Sequence, residues 1–171
     1  MNDTLVTIIA IFIAAILMFV FPLMTIADRN DDITQQAVQQ ETVEFVDKVR
    51  NVGAITQADL TEYKEKLSAL DHTFDTSIEV KVKDDNVGKK TTWTTSSVVG
   101  ENVYYSIYTE AIEEQIYGSA GKYPLKEGDI VSVSSVNTDT TIAQSLRNAF
   151  YAITGKGTYQ ISGSHAGVVQ N

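Results

Sequence analysis

Three features of the sequence predict an α+β chain whose first element is long enough to cross a bilayer. Residues 5–27 carry no charge, apolar side chains then recur at helical spacing as far as Gly53, and from Phe74 the period drops to two. The 171 residues suffice for one domain with a short appendage, which excludes two large domains. Charge is distributed unevenly. Asp3 is the only charged side chain before residue 28, while all 13 Lys and Arg and the other 21 acids follow, within a total of −9. An acidic body with no basic cluster excludes nucleic acid as a partner, because Lys and Arg must neutralise phosphates there.

The first element, LVTIIAIFIAAILMFVFPLMTIA, would be about 34 Å long as a helix, enough to span the hydrocarbon core of a bilayer. It is apolar on every face, so it is not a helix lying flat on a surface, and the remaining chain is too small to wrap it. A cleavable secretory signal is the rival reading, since Thr25, Ile26 and Ala27 loosely resemble a small-x-small cleavage site. Against it stand the missing basic n-region and the length of the apolar run. The expectation is a single-pass anchor in the cell membrane. Asp28, Asp31 and Asp32 make the far flank acidic and no polybasic patch follows, so the body is expected to be extracytoplasmic. Without cysteine the body uses no disulfide.

Beyond the flank, Val38, Thr42, Phe45, Val49 and Val52 form an amphipathic stripe that stops at Gly53. No glycine interrupts the chain before that point and Pro22 is the only proline ahead of it, so one long helix with a kink near Pro22 is expected, the alternative being a break at residues 28–32. Thr56 is an N-cap candidate for a second helix with Leu60, Tyr63, Leu67 and Leu70 on one face, folded back on the first. Residues 74–83 alternate as a strand with one wet face. TTWTTSSVV and VYYSIY read as a hairpin, and Thr109 as the cap of a short helix ending at Gly118.

SAGKYPLKEGD reads as a turn-like linker before a strand at residues 130–136. Thr141 and Gln144 have capping-box spacing, ahead of a stripe of Ile142, Leu146, Ala149, Phe150 and Ile153 ended by Gly155. TYQIS and AGVVQ read as two short closing strands. The resulting division is a transmembrane helix at 1–27, a helical stalk and hairpin at 28–71, and an extracytoplasmic body with a mostly antiparallel sheet at 72–171.

The candidate chemical sites are weak. His165 beside Ser162 and Ser164 invites a hydrolase reading with Asp139, but no nucleophile-elbow motif exists, and a polar turn between closing strands explains it. His72 with Asp71 and Asp75 lacks the spacing of a zinc site, and Asp84, Asp85 and Asn86 lack the alternating ligands of a calcium loop. Residues 155–158 do not fit the phosphate-loop frame. Glu110, Glu113 and Glu114 read as a solvated first helical turn. Seven of the eight tyrosines fall between Tyr104 and Tyr159, as cross-strand packing or an aromatic binding face. No enzyme activity, catalytic residue, cofactor or metal is expected.

The apolar helix with a late proline, its amphipathic continuation and a small sheet-containing body resemble the pilin-like architecture of bacterial pili and type II-like secretion systems. VEFVDKVRNVGAITQADLTEYKEKLSAL and KYPLKEGDIVSVSSVNTDTTIAQSLRNAFY in particular look like the extracytoplasmic part of TadE-like pseudopilins of Gram-positive bacteria. The resemblance covers most of the chain in order and texture. It implies a structural subunit of a pilus or secretion apparatus, with the bilayer, other pilin-like subunits and a second copy of the chain as partners. Prepilin peptidase substrates carry a basic leader ending in Gly and a Glu early in the apolar helix. Neither stands here, so the expectation is either numbering that begins after processing or anchoring without that peptidase. Asp3, the only early acid, is the residue able to neutralise a neighbour's N-terminal amine. Ala10 and Ala14 are the candidate close-packing positions and Pro22 the kink. The alternative is a membrane-tethered sensor or ligand-binding ectodomain.

Overall fold

The computed structural model describes residues 2–83, 104–118, 120–151 and 160–170. It is α+β. A long helix α1 (Asn2–Val52) is followed by β1 (Ala54–Thr56), α2 (Gln57–Ser68), β2 (Phe74–Lys83), β3 (Tyr104–Tyr108), α3 (Thr109–Tyr117), β4 (Lys122–Pro124), β5 (Ile130–Asn137), α4 (Ile142–Tyr151) and β6 (Ser162–Val168). α1 continues through Pro22 and through residues 28–32 without a break. It ends where Gly53 adopts φ 72° and donates its N–H to the Val49 carbonyl at 2.9 Å, a left-handed stop suited to glycine. The chain divides into two compact units, one of residues 36–139 and 162–171, the other of residues 1–35 and 140–161.

In the larger unit, β3-β2-β5-β6 form an antiparallel sheet. Register places Ile78 opposite Val133 and Val80 opposite Val131, all four fully buried, while Glu79 and Lys81 alternate onto the open face. The C-terminal part of α1 buries Val38, Phe45, Val46 and Val49, and α2 buries Leu60, Tyr63 and Leu67. Phe45 and Tyr63 stack with centroids 4.6 Å apart, with α2 folded back on α1 as expected. Thr56 caps α2 by accepting the Asp59 N–H.

β6 lies against α1 so closely that a Cβ on Gly163 would stand 2.8 Å from both Val38 Cγ1 and the Val38 carbonyl oxygen. Gln39 closes the outer edge of that strand. Its side-chain amide donates to the Ser164 carbonyl at 3.0 Å and accepts the Ser164 N–H at 3.1 Å, standing in for a neighbouring strand.

Several local expectations need correction. The linker 119–129 contains β4, which pairs with β1 in a small second sheet, Ile55 opposite Tyr123; a three-residue strand is too short to show a period. Thr109 does not cap α3, whose N-cap is Tyr108. Its hydroxyl instead accepts the Ile78 N–H at 2.8 Å and donates to the Ile78 carbonyl, satisfying β2 just past the last β3 pair. The ladder of β6 runs back from the expected AGVVQ strand to Ser162, with His165 in mid-strand opposite Val133 instead of in a turn, while Thr158 and Tyr159 of TYQIS lie outside the described residues. Small residues there serve close helix approach, although glycine and serine read locally as a turn.

In the smaller unit α4 begins as the capping box predicts. Gln144 N–H donates to Thr141 Oγ1 at 3.1 Å, and Thr141 N–H to Gln144 Oε1 at 3.2 Å. The expected buried stripe fails at its first member: Ile142 is 75% exposed, and Ala143 and Gln144 are buried in its place. The strand TTWTTSSVV, the Asp84–Asn86 loop and residues 152–159, with Ile153 and the 155–158 turn, lie outside the described residues, as do the side chains of Ala149 and Phe150.

Candidate functional site

From Asp3 to Phe19 every residue of α1 is exposed, and no part of its most apolar stretch is buried. Met18 is 77% and Phe12 66% exposed, a surface that water would not tolerate as an extended patch. α1 is therefore a helix long and apolar enough to cross a membrane. Asp3, Thr7, Ala10 and Ala14 follow one another at spacings of four, three and four, which places them on one side. Thr7 and Thr25 turn their hydroxyls back to the Asp3 and Phe21 carbonyls, at 2.7 and 3.0 Å, so neither adds a free polar group to the apolar surface. Pro22 is exposed but sits about 120° round the axis from Ala10, off the Asp3–Ala14 side.

The far end of the apolar stretch meets a polar junction that the sequence did not announce. Asp31, 2% exposed, accepts the Thr141 hydroxyl at 2.8 Å, joining residues 110 apart. Thr141 thus uses its oxygen to cap α4 and its proton to hold α1. The capping box was legible as spacing; Asp31 looked like one of three equivalent flank acids.

Further along, α1 and α2 enclose a groove of about 230 Å³ lined by Glu41, Glu44, Phe45, Lys48, Asp59, Glu62, Tyr63 and Lys66. Lys48 lies 2.8 Å from Asp59 and 2.9 Å from Glu62, and Lys66 2.9 Å from Glu41. Hydrogen bonds to Asp59 and Glu62 raise the Lys48 ammonium above its usual range, and the bond to Glu41 does the same for Lys66. Burial pushes the Asp59 carboxyl up, yet the bonds from Lys48 and Thr56 outweigh it and leave the group below its ordinary value. Both ammonium groups are engaged by carboxylates, so the groove works as an electrostatic clasp between helices.

The two histidines stand on different elements, His165 in β6 and His72 in the turn between α2 and β2. His72 Nδ1 lies 3.0 Å from Asp139 Oδ2, giving Asp139 to the other histidine than the hydrolase reading had considered. Asp71 beside it has φ 58°, at the turn from α2 into β2. Among the described residues no group of three or more His, Asp and Glu is placed to hold a metal ion. Tyr104, Tyr105, Tyr108 and Tyr117 are exposed, and register puts Tyr104 and Tyr108 on the open face of the sheet beside Lys83 and Glu79. No protein-family model matches the chain, and neither a curated protein nor a solved structure shows significant similarity to it.

Proposed function

We propose that the chain is a single-pass, membrane-anchored structural subunit of a pilin-like or secretion assembly, without catalytic activity, its acidic body held outside the cell membrane. The observation that carries this reading is the unbroken exposure of residues 3–19, an apolar surface that requires lipid or neighbouring helices. Lipid tails are as apolar as the helix itself, so association must come from close packing and polar contacts, which the Asp3–Ala14 side offers.

Single-cysteine variants at residues 8–20, free of native thiol background, test this in membranes. Crosslinking to a second copy or a related subunit should peak at Ala10 and Ala14, and Asp3→Asn should reduce it. Uniformly absent crosslinks would leave α1 as a tether and favour the second reading, a ligand-binding ectodomain. That reading draws on the exposed tyrosines of β3 and α3, and it requires a soluble ligand that raises the melting temperature saturably.

A further inference from the structure

We infer that α4 is an amphipathic helix seated at the membrane–water boundary, with its Ile142 side against lipid. The inference rests on the anchor reading of α1. The Asp31–Thr141 bond fixes the start of α4 beside Asp31, four residues past Ala27, about 6 Å along the helix axis from the end of the apolar stretch. The less exposed side of α1 runs back from Asp31. Between Asp3 and Ala27 the residues that are not fully exposed are Val20, Met24 and Ala27, and with Asp28 and Asp31 they fall on one face.

Around α4 the described side chains divide into three sectors. Ala143 and Gln144 are buried, Ser145 and Asn148 are exposed and polar, and Ile142 and Leu146, one turn apart, are apolar and exposed or partly so. Ile142 and Leu146 thus add an apolar sector beside the buried and the polar ones, the arrangement of a helix lying in a membrane surface. Lipid is the occupant we commit to because the exposed Leu23 and Ile26 of α1, in the same compact unit, place the bilayer boundary beside Asp31. Burying Ile142 at that boundary turns the misfit in the expected core stripe into a membrane contact.

The test uses the full chain in vesicles of phosphatidylcholine and phosphatidylglycerol, with single cysteines at Ile16, Ile142 or Asn148 carrying an environment-sensitive fluorophore. All three sites are exposed, so the labels do not disturb a packed core. Quenching by lipids spin-labelled at different depths should place Ile142 within about 5–10 Å of the headgroup–acyl boundary. Ile16 should lie deeper, and Asn148 should answer chiefly to aqueous iodide. Lipid quenching at Ile16 with only iodide quenching at Ile142 overturns the inference and leaves the anchor standing. Protection of Ile142 from both quenchers also overturns it, because a protein partner or second copy then covers that side. No lipid quenching at Ile16 removes the anchor reading itself, and this inference with it.

Discussion

Tyr63 joins three elements through its hydroxyl. Thr42 spends its proton on the Val38 carbonyl at 2.7 Å, so across the 2.8 Å contact Tyr63 must donate to Thr42. Ser135 then donates to Tyr63 at 2.8 Å, and Thr76 to Ser135 at 2.9 Å, giving one direction from β2 through β5 and α2 to α1. Tyr63→Phe leaves Ser135 without its acceptor and Thr42 without its donor inside the core. The full chain in detergent should lose about 1–3 kcal/mol by urea unfolding with little change in fold. Periodicity placed Tyr63 on the apolar face of α2, but a hydroxyl partner 72 residues away leaves no mark in local spacing. Asp139 makes a second residue-scale case. Burial raises its carboxyl, and the hydrogen bond and charge of His72, together with backbone hydrogen bonds at Asp139 and Thr73, more than reverse this, leaving it below its ordinary 3.8. A depressed carboxyl contributes stability that is complete above the unfolded value and is lost as pH falls through the folded one. His72→Gln should therefore move the Asp139 titration upward in a carboxyl NMR experiment and start acid unfolding at a higher pH. An unmoved titration would show that the pair does not form in solution.

At the scale of elements, what the sequence disclosed was what repeats locally: the α1 stripe, the Thr56 cap, the two-residue alternation of β2 and the capping box of α4. Elements defined by a distant partner stayed hidden. β4 exists because Ala54–Thr56 offers it a ladder, and β6 is continuous because β5 pairs with it from Ser162 to Val168. The glycines of β6 carry a specific consequence. A methyl group at Gly163 meets backbone, the Val38 carbonyl oxygen at 2.8 Å, and Thr42 Oγ1 at 2.9 Å, whereas at Gly167 it meets the flexible Arg50 side chain at 3.0 Å. Gly163→Ala must push α1 off the strand and should cost about 1–3 kcal/mol, while Gly167→Ala should cost less, because Arg50 can swing aside. Thermal melts of the two variants side by side check the order; equal losses would mean that α1 does not approach β6 this closely.

For the whole molecule, the uneven distribution of charge made the apolar span legible from composition alone, and the acidic flank marked where it ends. The division into two compact units was not legible, because residues 140–161 join the first 35 residues across more than a hundred intervening positions, and Asp31 looks no different in sequence from Asp28 or Asp32. That division predicts how the chain comes apart. A chain beginning at Asp28 sheds the apolar span but keeps the Asp31 carboxylate for Thr141, whereas one beginning at Gln36 retains the whole 36–139 segment and loses that acceptor. Both should be soluble without detergent, since the sheet core of Ile78, Val80, Val131 and Val133 is intact in each. Hydrogen exchange should separate them: amides of β2 and β5 stay protected in both, while those of α4 lose protection only in the shorter chain, because a short helix deprived of its tertiary contact does not hold in water. If β2 and β5 exchange as fast as α4 once residues 28–35 are removed, the two units fold as one, and the larger cannot stand as a body separate from the segment that follows the apolar span.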